Sequence, residues 1–386
     1  MDRWLAVSLA LLGGCTPGSS QSELAVAPDA SLPALAPTDQ VDLLLLVDSS
    51  CPMAEEQASL TAALPRLMRM LLAGDLDDDG APERPPLDVQ IGVVTADMGT
   101  GGYTVPTCQG DFGDDGILRT EGRTDLPGCD AVYPSVLRGR PGEDPDALAR
   151  DLACLATVGT GGCGFEQPLE GILKALSPAA PTESTALGYT PPRFFADTTG
   201  HADGPNAGLV RPDSVLAVVV VSDEDDCSAL DPEVFDDEST VYPSDLNLRC
   251  FLYREAIHPV ARYVDGLLAL RRDPRRLVYL PIVGIPSDLE RAPHEPPDWD
   301  RLISEDLAVR DDRMEERLDA PFGRLFPSCN VPGRGVAFPP VRTVELARRL
   351  DRAGAGVGVA SICGEDYADA MTALARLIGE AAAGGD

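Results

Sequence analysis

A chain of 386 residues with 44% hydrophobic and 24% charged side chains is long enough for a substantial core and too apolar for a disordered tail. Its 31 basic and 63 acidic residues leave a net charge of −32, which argues against nucleic acid or an anionic membrane surface as a partner. Ten cysteines point to an oxidising compartment.

The apolar stretch Trp4–Leu12 follows Arg3 and falls short of the roughly 20 residues a membrane-spanning helix needs, so it reads as a secretion signal. It runs into Leu12-Gly13-Gly14-Cys15, which resembles a bacterial lipobox: cleavage after residue 14 and a lipid on the Cys15 sulfur. Residues 15–40, rich in Ser, Pro, Ala and Gly, are expected to form a flexible tether. No later apolar run approaches the length of a membrane span.

A domain over 41–382 follows. Val41–Val47 is a short apolar run, interrupted only by Asp42, of the kind that forms a strand buried on both faces. Pro52 suits the first turn of a helix through Leu72, with Pro65 as a kink. Asp75-Leu-Asp-Asp-Asp-Gly80 opens like a calcium loop, but its twelfth position is Pro86 instead of glutamate, which favours a solvated acidic turn. Asp88–Thr95 is the second strand, followed by a Gly-, Pro- and Asp-rich insert over about 97–146. Helices are expected at Pro145–Thr157 and Phe165–Leu176, separated by the turn Gly159-Thr160-Gly161-Gly162. After an irregular insert at 178–211 come a strand at Val215–Ser222, a helix at Leu246–Arg272 and a strand at Arg276–Ile285. A third insert spans about 286–340. A helix at Val344–Ala353, a strand at Gly356–Ile362 and a helix at Tyr367–Ala382 close the chain. Strands alternating with helices predict an α/β fold: a doubly wound, mostly parallel sheet flanked by helices, with disulfide-braced inserts.

Two strands end in acidic, hydroxyl-bearing turns, Asp48-Ser49-Ser50 and Ser222-Asp223. Ligands of open α/β sheets bind beyond the carboxyl ends of the strands, so these oxygens are placed to meet around a hard cation. A carboxylate directly after a buried strand must be paired or coordinated. Asp48-Ser49-Ser50-Cys51-Pro52 resembles the Asp-x-Ser-x-Ser signature of von Willebrand factor type A (VWA) domains, and Asp223 matches that family's second metal-binding aspartate. Gln90–Met98, Gly162–Glu170, Ser222–Ser228 and Ser361–Cys363 are similar to a group of bacterial VWA lipoproteins. The resemblance spans about 41–379. It implies a VWA (Rossmann-like) fold and a Mg²⁺ or Ca²⁺ site formed by Asp48, Ser50, Asp223 and a threonine, best matched by Thr160, with Glu166 as the rival. It also implies that the ion bridges to a carboxylate on a partner protein. Pro52 stands where the signature has its second serine, so one hydroxyl ligand is missing. Asp225 and Asp226 are candidates to replace it or, alternatively, residues of a solvated loop.

With Cys15 lipidated, nine cysteines remain. Proximity in sequence pairs Cys108 with Cys129, Cys154 with Cys163, Cys227 with Cys250 and Cys329 with Cys363, leaving Cys51; a Cys51–Cys163 bridge is the alternative. A structural zinc site lacks close Cys-x-x-Cys spacing. His201, His258 and His294 have no nucleophile motif near them, and no serine elbow, phosphate loop or dinucleotide fingerprint occurs. The sequence therefore reads as a non-enzymatic, lipid-anchored binding or adhesion module of the bacterial envelope, and the resemblance to bacterial lipoproteins, with Thr16 after the lipidated cysteine, implies the outer membrane. A structural envelope lipoprotein with a vestigial metal site is the alternative, and a metal-dependent hydrolase ranks last.

Overall fold

Val41–Val47 is buried at every position, including the polar Asp42, because its strand lies in the middle of a sheet covered on both faces. The computed structural model describes residues 34–76, 80–108 and 110–385. The leader, Cys15 and Asp77–Asp79 of the acidic turn lie outside them; within that turn, the Gly80 amide donates to Asp75 Oδ2 at 2.9 Å.

In chain order the elements are β1 (Gln40–Val47), α1 (Ala54–Leu72), β2 (Asp88–Thr95), β3 (Leu137–Gly139), α2 (Pro145–Ala156), α3 (Pro168–Leu176), β4 (Val215–Ser222), the short α4 (Arg249–Leu252), α5 (Ala261–Ala269), β5 (Leu277–Val283) and α6 (Trp299–Ile303). Two small ribbons follow, β6 (Leu318–Asp319) with β7 (Arg324–Leu325) and β8 (Cys329–Asn330) with β9 (Val336–Ala337). The chain closes with α7 (Val341–Arg352), β10 (Gly356–Val357), β11 (Ala360–Ser361) and α8 (Ala368–Ala383). Seven strands form one sheet in the order β10-β5-β4-β1-β2-β3, with β11 also on β5. All pairings are parallel except that of the edge strand β3 with β2. The fold is therefore α/β with a mostly parallel sheet, as the alternation of elements predicts.

Successive side chains of a strand point to opposite faces, and β1 shows it. Leu43, Leu45 and Val47 pack with α1, α2 and α8, whereas Leu44 and Leu46 pack with α3, α5 and α7. At the N-terminal edge, the buried Asp42 is satisfied by the Arg211 amide at 2.5 Å, its Nε at 2.7 Å and the Ser214 hydroxyl at 2.5 Å. Residues assigned to the tether join this edge: the Leu35 amide donates to Gly385 O and the Thr38 amide to Ala382 O.

Several expectations are corrected. The first helix begins at Ala54, and Pro52 sits in the exposed turn before it. The helix expected over Leu246–Arg272 is broken before Pro259, a residue that disfavours helix at the position ahead of it, and Ile257 is extended, bridging Ala229. The last strand is interrupted between Val357 and Ala360, and β3 carries too short an apolar signal to be read from sequence. All eight expected cysteines are in disulfides, but two partners are exchanged: Cys108–Cys163 and Cys129–Cys154 replace Cys108–Cys129 and Cys154–Cys163. The insert after β2 crosses the sheet's C-terminal end first, where it meets the loop before α3. It then packs Cys129 against the core under α2, so chain proximity misleads. Cys227–Cys250 and Cys329–Cys363 form as expected, and Cys51 is free and exposed, not bridged to Cys163.

Candidate functional site

The sheet order reverses between β1 and β4: the chain leaves β1 for β2 on one side and β4 for β5 on the other. The loops after these two strands diverge, and this is where open α/β sheets form a binding crevice. Parallel register sets Val47 against Val221, so Asp48 and Ser222 end neighbouring strands side by side.

Asp48 is fully buried. Its Oδ1 accepts from the Ser50 amide at 2.7 Å and its Oδ2 from the Ser222 hydroxyl at 2.9 Å. Gln57, in the first turns of α1, donates to Asp48 O at 2.9 Å and to Gly159 O at 2.8 Å, and accepts from the Gly159 amide at 3.1 Å. This ties the glycine-rich turn to the loop after β1. Gly162 completes the tie, donating from its amide to Ser49 O at 2.8 Å; a Cβ there would stand 2.0 Å from Ser49 Oγ. On the other side, the Phe338 amide donates to Asp223 O at 2.8 Å, fixing the loop after β4.

Three side chains of this crevice are buried with polar atoms that no donor reaches: both carboxylate oxygens of Asp223, the Ser50 hydroxyl and Glu56 Oε2. Burial raises all the carboxyls here. Asp48 is raised by burial, opposed by the Ser50 amide and Ser222 hydroxyl. Asp223 is pushed up to about 9 by burial and then by Asp48, Glu224 and Glu56. Glu56 is raised to about 7 by burial, Glu55 and Asp48, and Glu224 to about 7 by burial and Asp48. Glu166 is raised well above the ordinary carboxylate range by burial, Glu224 and Asp48. No basic side chain is among the charges acting on any of the five. Buried carboxylates without a counter-charge cost several kcal/mol each when ionised, of order that for any unpaired buried ion.

The structure brings together Asp48, Ser50 and Asp223, and adds Glu56, Glu166 and Glu224. Thr160 is exposed on the turn, whereas its rival Glu166 is buried and faces Asp48 and Asp223. Asp225 and Asp226 belong to a separate ion-paired layer: the Arg342 amide donates to Asp225 Oδ1 at 3.0 Å and Arg342 Nε to Asp226 Oδ2 at 3.0 Å. Glu56 was missed in the sequence, although an acid beside Gln57 and Leu60 on the buried face of α1 is the signal that finds it. His201 Nε2 lies 2.9 Å from Asp115, His258 lies 3.9 Å from Glu170, and His294 is exposed.

Among the described residues, no three His, Cys, Asp or Glu side chains are drawn together as a metal-binding group. The donors that fit a hard cation are two carboxylates, Asp48 and Asp223, with the Ser50 hydroxyl, a mixed oxygen set of the kind Mg²⁺ or Ca²⁺ completes with water. No protein-family model matches the chain, and no curated protein sequence is similar to it.

Proposed function

We propose that this protein is a VWA-type binding module that holds a divalent cation, Mg²⁺ or Ca²⁺, between Asp48, Ser50 and Asp223, and uses it to bridge to a carboxylate of a partner protein. The observation that carries this reading is the Asp223 carboxylate, fully buried with neither oxygen bonded, at the strand end next to that of Asp48. Unsatisfied buried oxygens on two facing strand ends are costly alone and become ligands when a cation arrives. A set of two carboxylates and one hydroxyl leaves coordination positions for water and for one incoming carboxylate.

Lipidation of Cys15 supplies the attachment to the envelope, most simply the outer membrane. The chain enters the described domain at the N-terminal edge of the sheet, and Asp48 lies at the other end of the eight-residue β1, about 26 Å away at a rise of ~3.3 Å per residue. An N-terminal anchor thus holds the lipid side and the crevice at opposite ends of the sheet.

The test is thermal unfolding of the chelated protein with added Mg²⁺ or Ca²⁺. A ligand that binds only the folded state raises the melting temperature by mass action, and Asp223→Ala should abolish the rise. Membrane fractions of cells producing Cys15→Ser should lose the protein.

The alternative, a structural envelope lipoprotein with a vestigial site, draws on Pro52, which offers no hydroxyl, and on the exposure of Thr160. It predicts no response in the wild type and a response in Pro52→Ser. If neither protein responds, the ligand set itself is wrong.

A further inference from the structure

Beside the crevice lies a second, differently built cleft of about 290 Å³. Its apolar walls include Phe165, Phe251, Phe338 and Leu325, and the Cys227–Cys250 disulfide backs it. Five carboxylates line it as well, and most are already neutralised. Arg254 is ion-paired with Glu316 and lies 3.8 Å from Asp225; Arg342 holds Asp225 and Asp226; Arg324 faces Asp319 at 3.8 Å. Two acids without a basic partner remain, Glu166 and Glu224, and their side chains hydrogen-bond to each other. Glu166 is 3% exposed, and every charged group acting on it is acidic. Neither Asp48, Ser50 nor Asp223 lines this cleft.

We infer that the cleft is a socket for one basic side chain, arginine or lysine, of a partner polypeptide. The aliphatic stem packs along Phe338 and Leu325, and the cationic head is received by Glu166 and Glu224 beside the Phe165 ring. Three features of the cleft select that occupant. Its two carboxyls without a basic partner, sited at the buried end, ionise most readily against an incoming cation. Aromatic walls favour an organic cation over a hydrated metal ion, through apolar contact and attraction to the ring faces. The volume of about 290 Å³ is room for one long side chain. The socket stands without the cation site, though both open at the same edge of the sheet and one partner segment could reach both.

The probes are arginine amide and lysine amide, with citrulline amide as the neutral isostere of arginine. Titration calorimetry in EDTA removes any divalent cation. Arginine amide should bind and citrulline amide should bind at least about tenfold more weakly, a difference of ~1.4 kcal/mol. Glu166→Gln and, separately, the half-buried Glu224→Gln should each weaken arginine amide about tenfold or more. Circular dichroism on each variant confirms the fold, and both Gln variants relieve acid–acid repulsion. Equal binding of citrulline amide, or no binding of either basic amide, overturns the socket. A Glu166→Gln variant that keeps arginine binding but loses the Mg²⁺ response also overturns it, and makes Glu166 a cation ligand.

Discussion

The Ser222 hydroxyl donates to Asp48 Oδ2 at 2.9 Å, joining the ends of β4 and β1 across the point where the sheet order reverses. Among the described residues it is the one side-chain bond that links the two acidic loops directly at Asp48, and it comes from a buried residue. Ser222→Ala should therefore destabilise the protein by about 1–3 kcal/mol, the usual cost of removing a donor from a buried charged acceptor. Chemical denaturation of the two proteins at neutral pH measures it, and an unchanged midpoint would mean that water substitutes for the hydroxyl.

The acidic cluster sets a pH dependence with a definite sign. Folded pKa values of about 7 for Glu56 and Glu224 and about 9 for Asp223 lie above the ordinary carboxylate values. Between those limits the folded state binds more protons than the unfolded chain, so stability is full below the ordinary range and is lost as pH rises through 7 toward 9. In EDTA the melting temperature should fall from about pH 5 to pH 9, and Asp223→Asn should flatten the upper part of that fall. A chelated wild type that gains stability steadily over this range would contradict the burial of these acids.

Gly162 is the contact point between the glycine-rich turn and the loop after β1, and a methyl group there would stand 2.0 Å from Ser49 Oγ and 2.9 Å from Ser49 O. Gly162→Ala should cost about 1–3 kcal/mol by forcing the backbones apart. Because Ser49 lies between Asp48 and Ser50, any response to Mg²⁺ or Ca²⁺ should weaken in the same variant. A variant with wild-type stability and response would show that the turn moves freely.

Disulfide mapping should recover Cys108–Cys163 and Cys129–Cys154 from the unreduced protein, and a chain beginning at Ala34 should present Cys51 as its one reactive thiol. Removing Cys329–Cys363, which closes a separation of 34 residues, should cost about 4 kcal/mol on the chain-entropy estimate. Peptides linking Cys108 to Cys129 would overturn the assignment.

Lys174, the only lysine of the chain, has a fully buried side chain on α3. Its ammonium is 2.5 Å from Asp115 Oδ1 and 2.9 Å from Thr198 Oγ1, and lies 5.5 Å from the centre of the Phe194 ring. An amine-selective reagent should leave Lys174 unmodified in the native protein and label it only on unfolding, so that labelling rate reports global opening. Lys174→Met should cost about 3 kcal/mol, since it strands Asp115 with His201 as its remaining partner. Rapid native labelling at Lys174 would refute its burial.

The order of strands and helices was legible in the sequence because each depends on local signals. Short apolar runs such as Val41–Val47 and Val215–Val221 gave β1 and β4, and Pro52 before the stretch to Leu72 gave α1. Asp48 and Asp223 were legible for the same reason, since a carboxylate that ends a buried strand has few places to go. What failed locally was also informative: the helix expected over Leu246–Arg272 is broken at Pro259, and β3 was too short to leave a period.

Tertiary structure decided everything that depends on which distant segments meet. The exchange of partners between Cys108, Cys129, Cys154 and Cys163 follows from the path of the insert over the sheet edge, and spacing along the chain carries no record of that path. Thr160 and Glu166 are six positions apart, and the sequence put Thr160 first with Glu166 as its rival, yet the fold exposes Thr160 and buries Glu166 among like charges. Asp225 and Asp226 were read beside Asp223 as one acidic run, but Arg342, more than a hundred residues later, takes them out of the crevice. Sequence fixes which residues carry charge and which strands they end. Only the packed chain settles which charges find a partner, because a counter-charge must be close in space and the sequence specifies only closeness along the backbone.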